Sequence, residues 1–384
     1  MSRIERSLSR LLCAAISALQ ADTRQPWARA IRAETEAIAD DGAAFGFALD
    51  AFLGMLPGLI ARLFMPPPLH GDGHMSDEAP GDDPSGPFRP ATLVIGCAAA
   101  ATILGASSLL SSGAPLHYAL INVAALAIGL AIWAMWRLAR WDRPGAVLPA
   151  ALLGGLLLCS FAFGTTAAGA TRWFALGPIL IQPSLIVLPP LLILFAQSRS
   201  PLVSLVMVGA ILVIAAQPDR AVGAVALAGV LCVALREPDV PGLGVFAIAA
   251  LAFGYTMLMP DRLPATPFVD GALRGDFADG PLTLVAVWAS VGLLLVPAIV
   301  GWVRHAEARF AYGVFGAIWA AVILAAVLGN YPSPAAGYGG SAIVGYILSG
   351  AALSLSSACL RQASAPSAAR VIGHDETDMQ RVVA

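Results

Sequence analysis

The sequence predicts an all-α, polytopic membrane protein with about ten transmembrane helices, preceded by an amphipathic helical region in the cytoplasm. Two observations carry this prediction. Charged residues make up 12% of the chain and hydrophobic residues 58%, with a mean hydropathy of +0.78, whereas a soluble domain carries about 25% charged residues. From Ala91 onward, apolar runs of roughly 17 to 24 residues recur, and each is long enough to cross a hydrocarbon core as a helix.

The N-terminal part, residues 1–65, is predicted to form cytoplasmic amphipathic helices. Apolar residues recur there at helical spacing, with arginines on the opposite face: Ile4, Leu8, Leu11, Leu12 and Ala15. A second helix begins near Pro26, and a third covers 43–65. Asp50 lies inside this third helix and Pro57 is expected to break it, so we predict an interfacial or packed helix, with a membrane span as the alternative.

The rest of the chain is divided by its composition. Residues 66–90 are rich in Pro, Gly and Asp and are predicted to be a flexible linker. Residues 91–360 form the predicted membrane domain, and 361–384 a cytoplasmic tail. The predicted spans are 91–111, 115–136, 146–169, 175–196, 201–216, 219–235, 241–259, 281–303, 308–329 and 339–360.

The arginines predict the orientation, because cytoplasmic loops of membrane proteins carry an excess of positive charge. With the N-terminus inside, the inner loops and tail hold Arg137, Arg140, Arg143, Arg199, Arg236, Arg304, Arg309, Arg361, Arg370 and Arg381. The outer loops then hold only Arg172, Arg220, Arg262 and Arg274. Both termini are therefore predicted to be cytoplasmic.

Several kinds of partner and site find no support in the sequence. No basic cluster alternates with aromatic residues, so nothing indicates nucleic-acid binding. The five cysteines form no C-x-x-C pair, which argues against a disulfide framework or a zinc site. There is no P-loop and no G-x-G-x-x-G motif. No cofactor is predicted, and a divalent cation is left open.

Three polar motifs interrupt the apolar pattern near the predicted outer ends of helices: "RWFALGPILIQPS", "QPDR" and "PSPAAGYGGS". Their candidate residues are Arg172, Gln182, Ser184, Gln217, Asp219, Arg220, Tyr338, Gly339, Gly340 and Ser341. Gln182 and Ser184 are expected about two turns into the predicted fourth helix. Each motif alone is also compatible with ordinary helix kinking and packing.

In this order, in a ten-helix chain, the motifs resemble the SEDS family, which includes FtsW, RodA and SpoVE. The resemblance covers about residues 90–360. It implies a SEDS-like bundle that polymerises lipid II, the undecaprenyl-linked disaccharide, into peptidoglycan strands at the outer face of the bacterial inner membrane. It further implies a class B penicillin-binding transpeptidase as partner, in cell division or cell-shape maintenance. Under this resemblance the motif residues are substrate-binding candidates.

The chain departs from the family pattern at several positions. Leu185 and Leu188 stand where the family has Glu and, three residues later, Lys. Because both charges of a possible ion pair are absent together, the bundle can fold without an unpaired buried charge. Gly337 replaces the first Ser of the family's Ser-Tyr-Gly-Gly-Ser, and Arg220 stands where the family usually has Leu. The chain is therefore a divergent member under this hypothesis.

The predicted outer loop before the eighth span supplies the catalytic candidates. It holds Asp261, Arg262, Asp270, Arg274, Asp276 and Asp279. The family has an essential Asp in this loop, after a Leu-Pro, and Asp270 fits best after Leu263-Pro264, with Asp276 as the rival. A carboxylate here would act as the base for the acceptor sugar's 4-hydroxyl. Arg172, Arg220 or Arg274 could hold the pyrophosphate.

Two other hypotheses remain beside the glycosyltransferase. A non-catalytic relative could bind lipid-linked precursor or scaffold division or elongation partners, which the missing charges at Leu185 and Leu188 and the short loop favour. A transporter ranks last, because the spans hold almost no ionisable groups near mid-membrane.

Overall fold

The fold is known from a computed structural model. It describes residues 6, 9, 10, 12, 13, 16, 17, 25–64, 90–138, 146–167, 170–177, 179–260, 264–278, 280–305 and 308–364. Nearly all of the predicted linker and tail, and the loop residues Asp261, Arg262, Leu263 and Asp279, lie outside the described residues.

The protein is an all-α, multi-pass membrane protein, as the sequence predicts, and a helix stands at each of the ten predicted spans. Two helices precede the membrane domain, α1 Gln25–Ala37 and α2 Asp41–Phe64. The membrane domain contains α3 Pro90–Ser111, α4 Leu116–Leu138, α5 Val147–Phe163, α6 Pro183–Gln197, α7 Pro201–Ala216, α8 Arg220–Arg236, α9 Val240–Leu258, α10 Pro281–Arg304, α11 Arg309–Leu328 and α12 Gly340–Ser364. By length and hydropathy, α3, α4, α9, α10 and α11 can each cross a membrane alone.

Three helix starts in the membrane domain are fixed by side chains that accept a backbone N–H. Ser200, Asp219 and Asp239 cap α7, α8 and α9 in this way. Such a cap satisfies one of the donors that the first turn leaves unpaired. Along the helices, large apolar side chains such as Leu205 and Leu251 remain exposed, as expected for a surface that faces lipid.

Helix α6 lies at the centre of the bundle, and residues 187–195 are all buried in it. Leu185 and Leu188 are 7% and 1% exposed and belong to the main apolar core. Gly345 of α12 allows close approach, because a side chain there would collide with the carbonyl oxygen of Leu185. Both side chains therefore lie in apolar packing that has no need of a charged partner.

The segment between α5 and α6 corrects the sequence prediction. The helices predicted over 146–169 and 175–196 are present but shorter. Between them the chain forms a three-stranded antiparallel sheet, with β1 Thr165–Ala167, β2 Ala170–Leu176 and β3 Ile179–Ile181. Helix α5 ends at Phe163, and α6 begins only at Pro183. Pro183 suits the first turn of a helix, where no N–H is needed. Gln182 is consequently the residue before the helix and lies in no helical turn.

The described N-terminal residues pack together and against the membrane domain. Their apolar cluster contains Leu12, Cys13, Ile16, Ala28, Ala48 and Phe52, together with Ala100 of α3, and Leu293 of α10 packs against it. Helix α2 continues through Pro57, so the predicted break is wrong. Prolines also lie inside α6 and α10. Membrane helices tolerate such prolines because neighbouring groups satisfy the backbone groups that the proline leaves free.

Candidate functional site

All three polar motifs and the Asp270 segment meet at one end of the helix bundle. This end, called here the sheet end, carries the connections 112–115, 164–182, 217–219, 259–280 and 329–339, each following an alternate helix. Cross-contacts join them: Arg172 binds the 217–219 connection, and Asp270 forms an isolated antiparallel bridge with Pro332. The sheet end is the end predicted to face outward.

One cluster at the sheet end, the Asp219 network, comprises Arg172, Gln182, Ser184, Gln217 and Asp219, all buried. Strand β2 carries Arg172 across the 217–219 connection. Its guanidinium donates to the carbonyl oxygen of Gln217 at 3.1 Å and to that of Pro218. Its Nε lies 4.0 Å from Oδ2 of Asp219. The arginine thus ties the sheet to the start of α8.

The amide of Gln182 completes this network. Its Nε2 donates to Oδ2 of Asp219 at 2.8 Å and to Oγ of Ser184 at 3.3 Å. Its backbone N–H donates to Oγ of Ser341, at 2.9 Å, which joins the first motif to the third. The other carboxylate oxygen of Asp219 accepts the N–H of Val222 and so caps α8. Gln182 and Asp219 therefore have partners within the protein, whereas Oε1 of Gln217 is buried without a hydrogen-bond partner.

Gln217 and Arg220 bind other parts of the bundle. Gln217 donates from Nε2 to Oγ of Ser160 on α5, at 3.1 Å. Arg220 turns to the end of α9, where it donates to the carbonyl oxygens of Thr256 at 3.1 Å and of Met259. A cation at these last carbonyls stabilises a helix C-terminus. Arg220 therefore closes the end of the neighbouring helix.

The second cluster is built on two loops. The first, the Asp270 loop, covers 264–278, and the second, the GYGG loop, covers 329–339. Ser333 and Tyr338 donate their backbone N–H groups to the carbonyl oxygens of Val269 (3.1 Å) and Phe268 (2.9 Å). Phe268 and Ala335 both have φ of 61°, a strained conformation for residues with a side chain. The pairing of the loops holds both residues in that conformation.

Asp270 lies inside this pairing and is 6% exposed. Its Oδ2 accepts the backbone N–H of Thr266 at 2.8 Å. Burial raises the pKa of Asp270 above its ordinary value, and the Thr266 hydrogen bond and the charge of Arg274 lower it in part. A carboxyl group with a raised pKa is closer to the condition of a general base that works near neutral pH.

Arg274 and Asp276 form the exposed side of the same loop. Arg274 donates to Oδ2 of Asp276 at 3.1 Å and to the carbonyl oxygen of Gly329 at 2.8 Å, across to the GYGG loop. Asp276 is exposed. Gly271, with φ of 81°, has no side chain that would collide with the Asp276 carboxylate. The exposed pair can therefore meet a charged ligand, whereas Asp270 lies beneath it.

Tyr338 connects the two clusters. Its ring packs on Tyr118 of α4, with centroids 4.9 Å apart. Burial raises the pKa of its hydroxyl, as does Tyr118, while a hydrogen bond from the backbone of Leu180 in β3 lowers it. Gly339 is buried, and Ser341 binds Gln182. The predicted site residues thus fall into two neighbouring groups, and their roles remain predictions.

Sequence reasoning missed Asn122, a fully buried residue of α4. Its amide donates to the carbonyl oxygen of Gly337 at 2.7 Å and accepts the N–H of Gly339 at 3.1 Å. The available signal was a lone amide in the apolar run 116–136. Buried polar groups in a membrane helix require partners, and here they are the backbone of the GYGG loop.

Open space near the site is small. A cavity of about 10 Å³, room for about one water molecule, lies beneath the GYGG loop, lined by Ala98, Thr102, Leu294, Pro334, Ala335, Ala342, Ile343 and Tyr346. Ligand pockets usually measure about 300–1,000 Å³. The cavity is apolar and too small for a lipid-linked sugar. Among the described residues, no three His, Cys, Asp or Glu side chains group as a metal site would require.

Comparisons with known proteins give structural likenesses. No family model and no curated protein matches the sequence. A crystal structure of the rod shape determining protein RodA from Thermus thermophilus is similar, with 22% identity, a TM-score of 0.48, and coverage of 68% of this chain and 94% of that one. An aspartate-to-alanine mutant of that RodA is similar with 20% identity and a TM-score of 0.48, and the match covers 68% of this chain and 95% of that one. A chain of a peptidoglycan synthase complex is similar with 21% identity and a TM-score of 0.46, and the match covers 70% of this chain and 97% of that one.

Proposed function

We propose that this chain is a divergent SEDS-type glycosyltransferase that polymerises lipid II at the outer face of the bacterial inner membrane. The observation that carries the proposal is Asp270, whose loop is hydrogen-bonded to the GYGG loop at the same end as the other family motifs. The proposal includes a multi-pass protein with both termini in the cytoplasm and a class B penicillin-binding transpeptidase as partner. Division and cell-shape maintenance are its two candidate settings.

In the proposed reaction, Asp270 takes the proton of the acceptor's 4-hydroxyl as that oxygen bonds to the donor's anomeric carbon. The bond from this carbon to the pyrophosphate breaks, and undecaprenyl pyrophosphate leaves with the electron pair. Arg274 is the best placed of the three candidate arginines to meet the pyrophosphate, because it is exposed on the Asp270 loop. Arg172 is buried, and Arg220 is only partly exposed and closes the end of α9. The burial of Asp270 requires the two loops to separate when substrate enters.

A non-catalytic relative that binds precursor or scaffolds a partner is the second candidate. Two observations favour it: Asp270 is nearly inaccessible, and the cavity beneath the GYGG loop is small and apolar. Leu185 and Leu188 lie in tight core packing, so that region offers no polar surface to a substrate.

Polymerisation of labelled lipid II by the purified protein, with and without a co-expressed transpeptidase, tests the proposal. Wild type should give glycan ladders, Asp270→Ala should not, and Asp276→Ala should. Ladders from Asp270→Ala but not from Asp276→Ala would move the base to Asp276. Absence of ladders from wild type, under conditions where an authentic family polymerase gives them, would leave the non-catalytic function.

A further inference from the structure

We propose that Asn122 is a positioning residue, which fixes the GYGG loop so that this loop holds Asp270 in place. The inference rests on the proposed function for its catalytic meaning, but the structural coupling can be tested separately. Asn122 touches neither Asp270 nor the Asp270 loop through any of its hydrogen bonds, so it acts through the loop between them.

The first step is that the buried backbone of the GYGG loop needs hydrogen-bond partners. Ser333 to Gly337 and Gly339 are buried, although this segment is not helical. Asn122 lies six residues beyond Leu116, the start of α4, which is about 9 Å along the helix axis. Irregular backbone at such depth is tolerated only where the protein satisfies its N–H and C=O groups. Asn122 satisfies one group of each kind, because it accepts the N–H of Gly339 and donates to the carbonyl oxygen of Gly337.

The second step is the connection from the loop to Asp270. The residue between the two contacts of Asn122 is Tyr338, whose N–H binds Phe268. Gly337 itself lies so close that a Cβ there would be 2.6 Å from the carbonyl oxygen of Val269. Phe268 and Val269 directly precede Asp270. A shift of the backbone at 337–339 therefore moves the residues that set the position of the carboxylate.

The third step is the kind of attachment that α4 makes to the GYGG loop. Tyr118 packs on Tyr338 through its ring, a contact that allows sliding. The Asn122 amide instead makes two hydrogen bonds, which fix both the depth and the register of the loop. Loss of a hydrogen bond that strands a buried partner is costly, so removing the amide is expected to shift the strained pair of loops.

The test uses Asn122→Leu, which replaces the amide by an apolar side chain of similar size and removes both hydrogen bonds. Hydrogen–deuterium exchange of the full protein in detergent should become faster in 264–278 and 329–339. It should stay unchanged in β1 and in the part of β2 that pairs with it, 165–167 and 170–173. Ser290→Ala is the matched control, because Ser290 is equally buried in α10 and bonds only its own helix, at Val287. Gly337→Ala, which displaces the loop from its other side, should repeat the effect.

With labelled lipid II, Asn122→Leu should lower kcat by about 10- to 100-fold, as expected for a misplaced catalytic group, with KM unchanged. The acid limb of the pH–rate profile should move to lower pH, because a loosened loop exposes Asp270 to water. Among the described residues, the charged groups on the Asp270 loop are Arg274 and Asp276, and the titratable groups of the facing GYGG loop are Tyr331 and Tyr338.

Unchanged exchange in 264–278 for both Asn122→Leu and Gly337→Ala would overturn the proposal, as would a loss of activity that lies wholly in KM. If wild type makes no glycan, the proposed function fails, while the exchange experiment still decides whether Asn122 couples the two loops.

Discussion

The Asp219 network and the Asp270 loop contain similar residue types but differ in how their hydrogen bonds are arranged. In the network, Arg172, Gln182 and Asp219 are buried and bind one another or the backbone. In the loop, a buried carboxyl group with a raised pKa lies beneath an exposed Arg274–Asp276 pair, beside strained backbone at Phe268. A closed network stabilises a structure, whereas a strained loop with a perturbed carboxyl group is a candidate for chemistry.

The largest expected effect concerns Asp270. Asp270→Asn should lower polymerisation by about 10²- to 10⁴-fold, the usual contribution of a general base, while leaving the protein at least as stable as wild type at neutral pH. Because burial raises the pKa of Asp270 in the folded state, its contribution to stability is present below the unfolded pKa, about 3.9. That contribution is lost as pH rises through the folded pKa.

Thermal unfolding of wild type and Asp270→Asn, measured in detergent between pH 4 and pH 8, checks this sign. The stability of the mutant relative to wild type should rise with pH, since asparagine cannot ionise and can still accept the Thr266 N–H. A mutant that loses stability steadily toward pH 8 would show that the ionised carboxylate supports the fold, and the contrast with Asp219 would disappear.

The next effect is on stability alone. Asp219→Ala should lower the free energy of unfolding by about 3–5 kcal/mol, because it leaves the buried Arg172 without its counter-charge and removes the cap of α8. Asp239→Ala is the matched control: Asp239 caps α9 in the same way, at 2.8 Å from the N–H of Gly242. Its side chain is 43% exposed, and its ion pair with Arg199, at 2.7 Å, is therefore partly solvated. That control should cost about 0.5–2 kcal/mol.

Chemical denaturation of both variants measures the difference. Equal losses for Asp219→Ala and Asp239→Ala would mean that Asp219 acts only as a helix cap, and that the buried network adds no stability of its own.

The sequence predicted the ten helices because uninterrupted apolar runs permit little else in a membrane. It did not predict the sheet, since hydropathy cannot distinguish a strand from a buried helix in a run such as 170–181. Thr165, Thr166 and Thr171, which favour strands, were the available signals. The motif residues were recognised, but their division into two clusters depends on side-chain burial, which no single sequence pattern gives. Asn122 was missed because its partners are more than 200 residues away.

The smallest expected effect concerns Asp276, the rival base. It is exposed and paired with Arg274, each more than 30% exposed, and such surface pairs contribute about 0–1 kcal/mol. Asp276→Asn should therefore change the free energy of unfolding by less than about 1 kcal/mol, and this small effect should shrink further in high salt. Urea unfolding at low and high salt measures it, and kcat of the same samples should stay within about twofold of wild type if Asp270 is the base. A fall in kcat comparable with that of Asp270→Asn would instead place the chemistry at the exposed pair, and the buried carboxyl group would then belong with the Asp219 network as part of the scaffold.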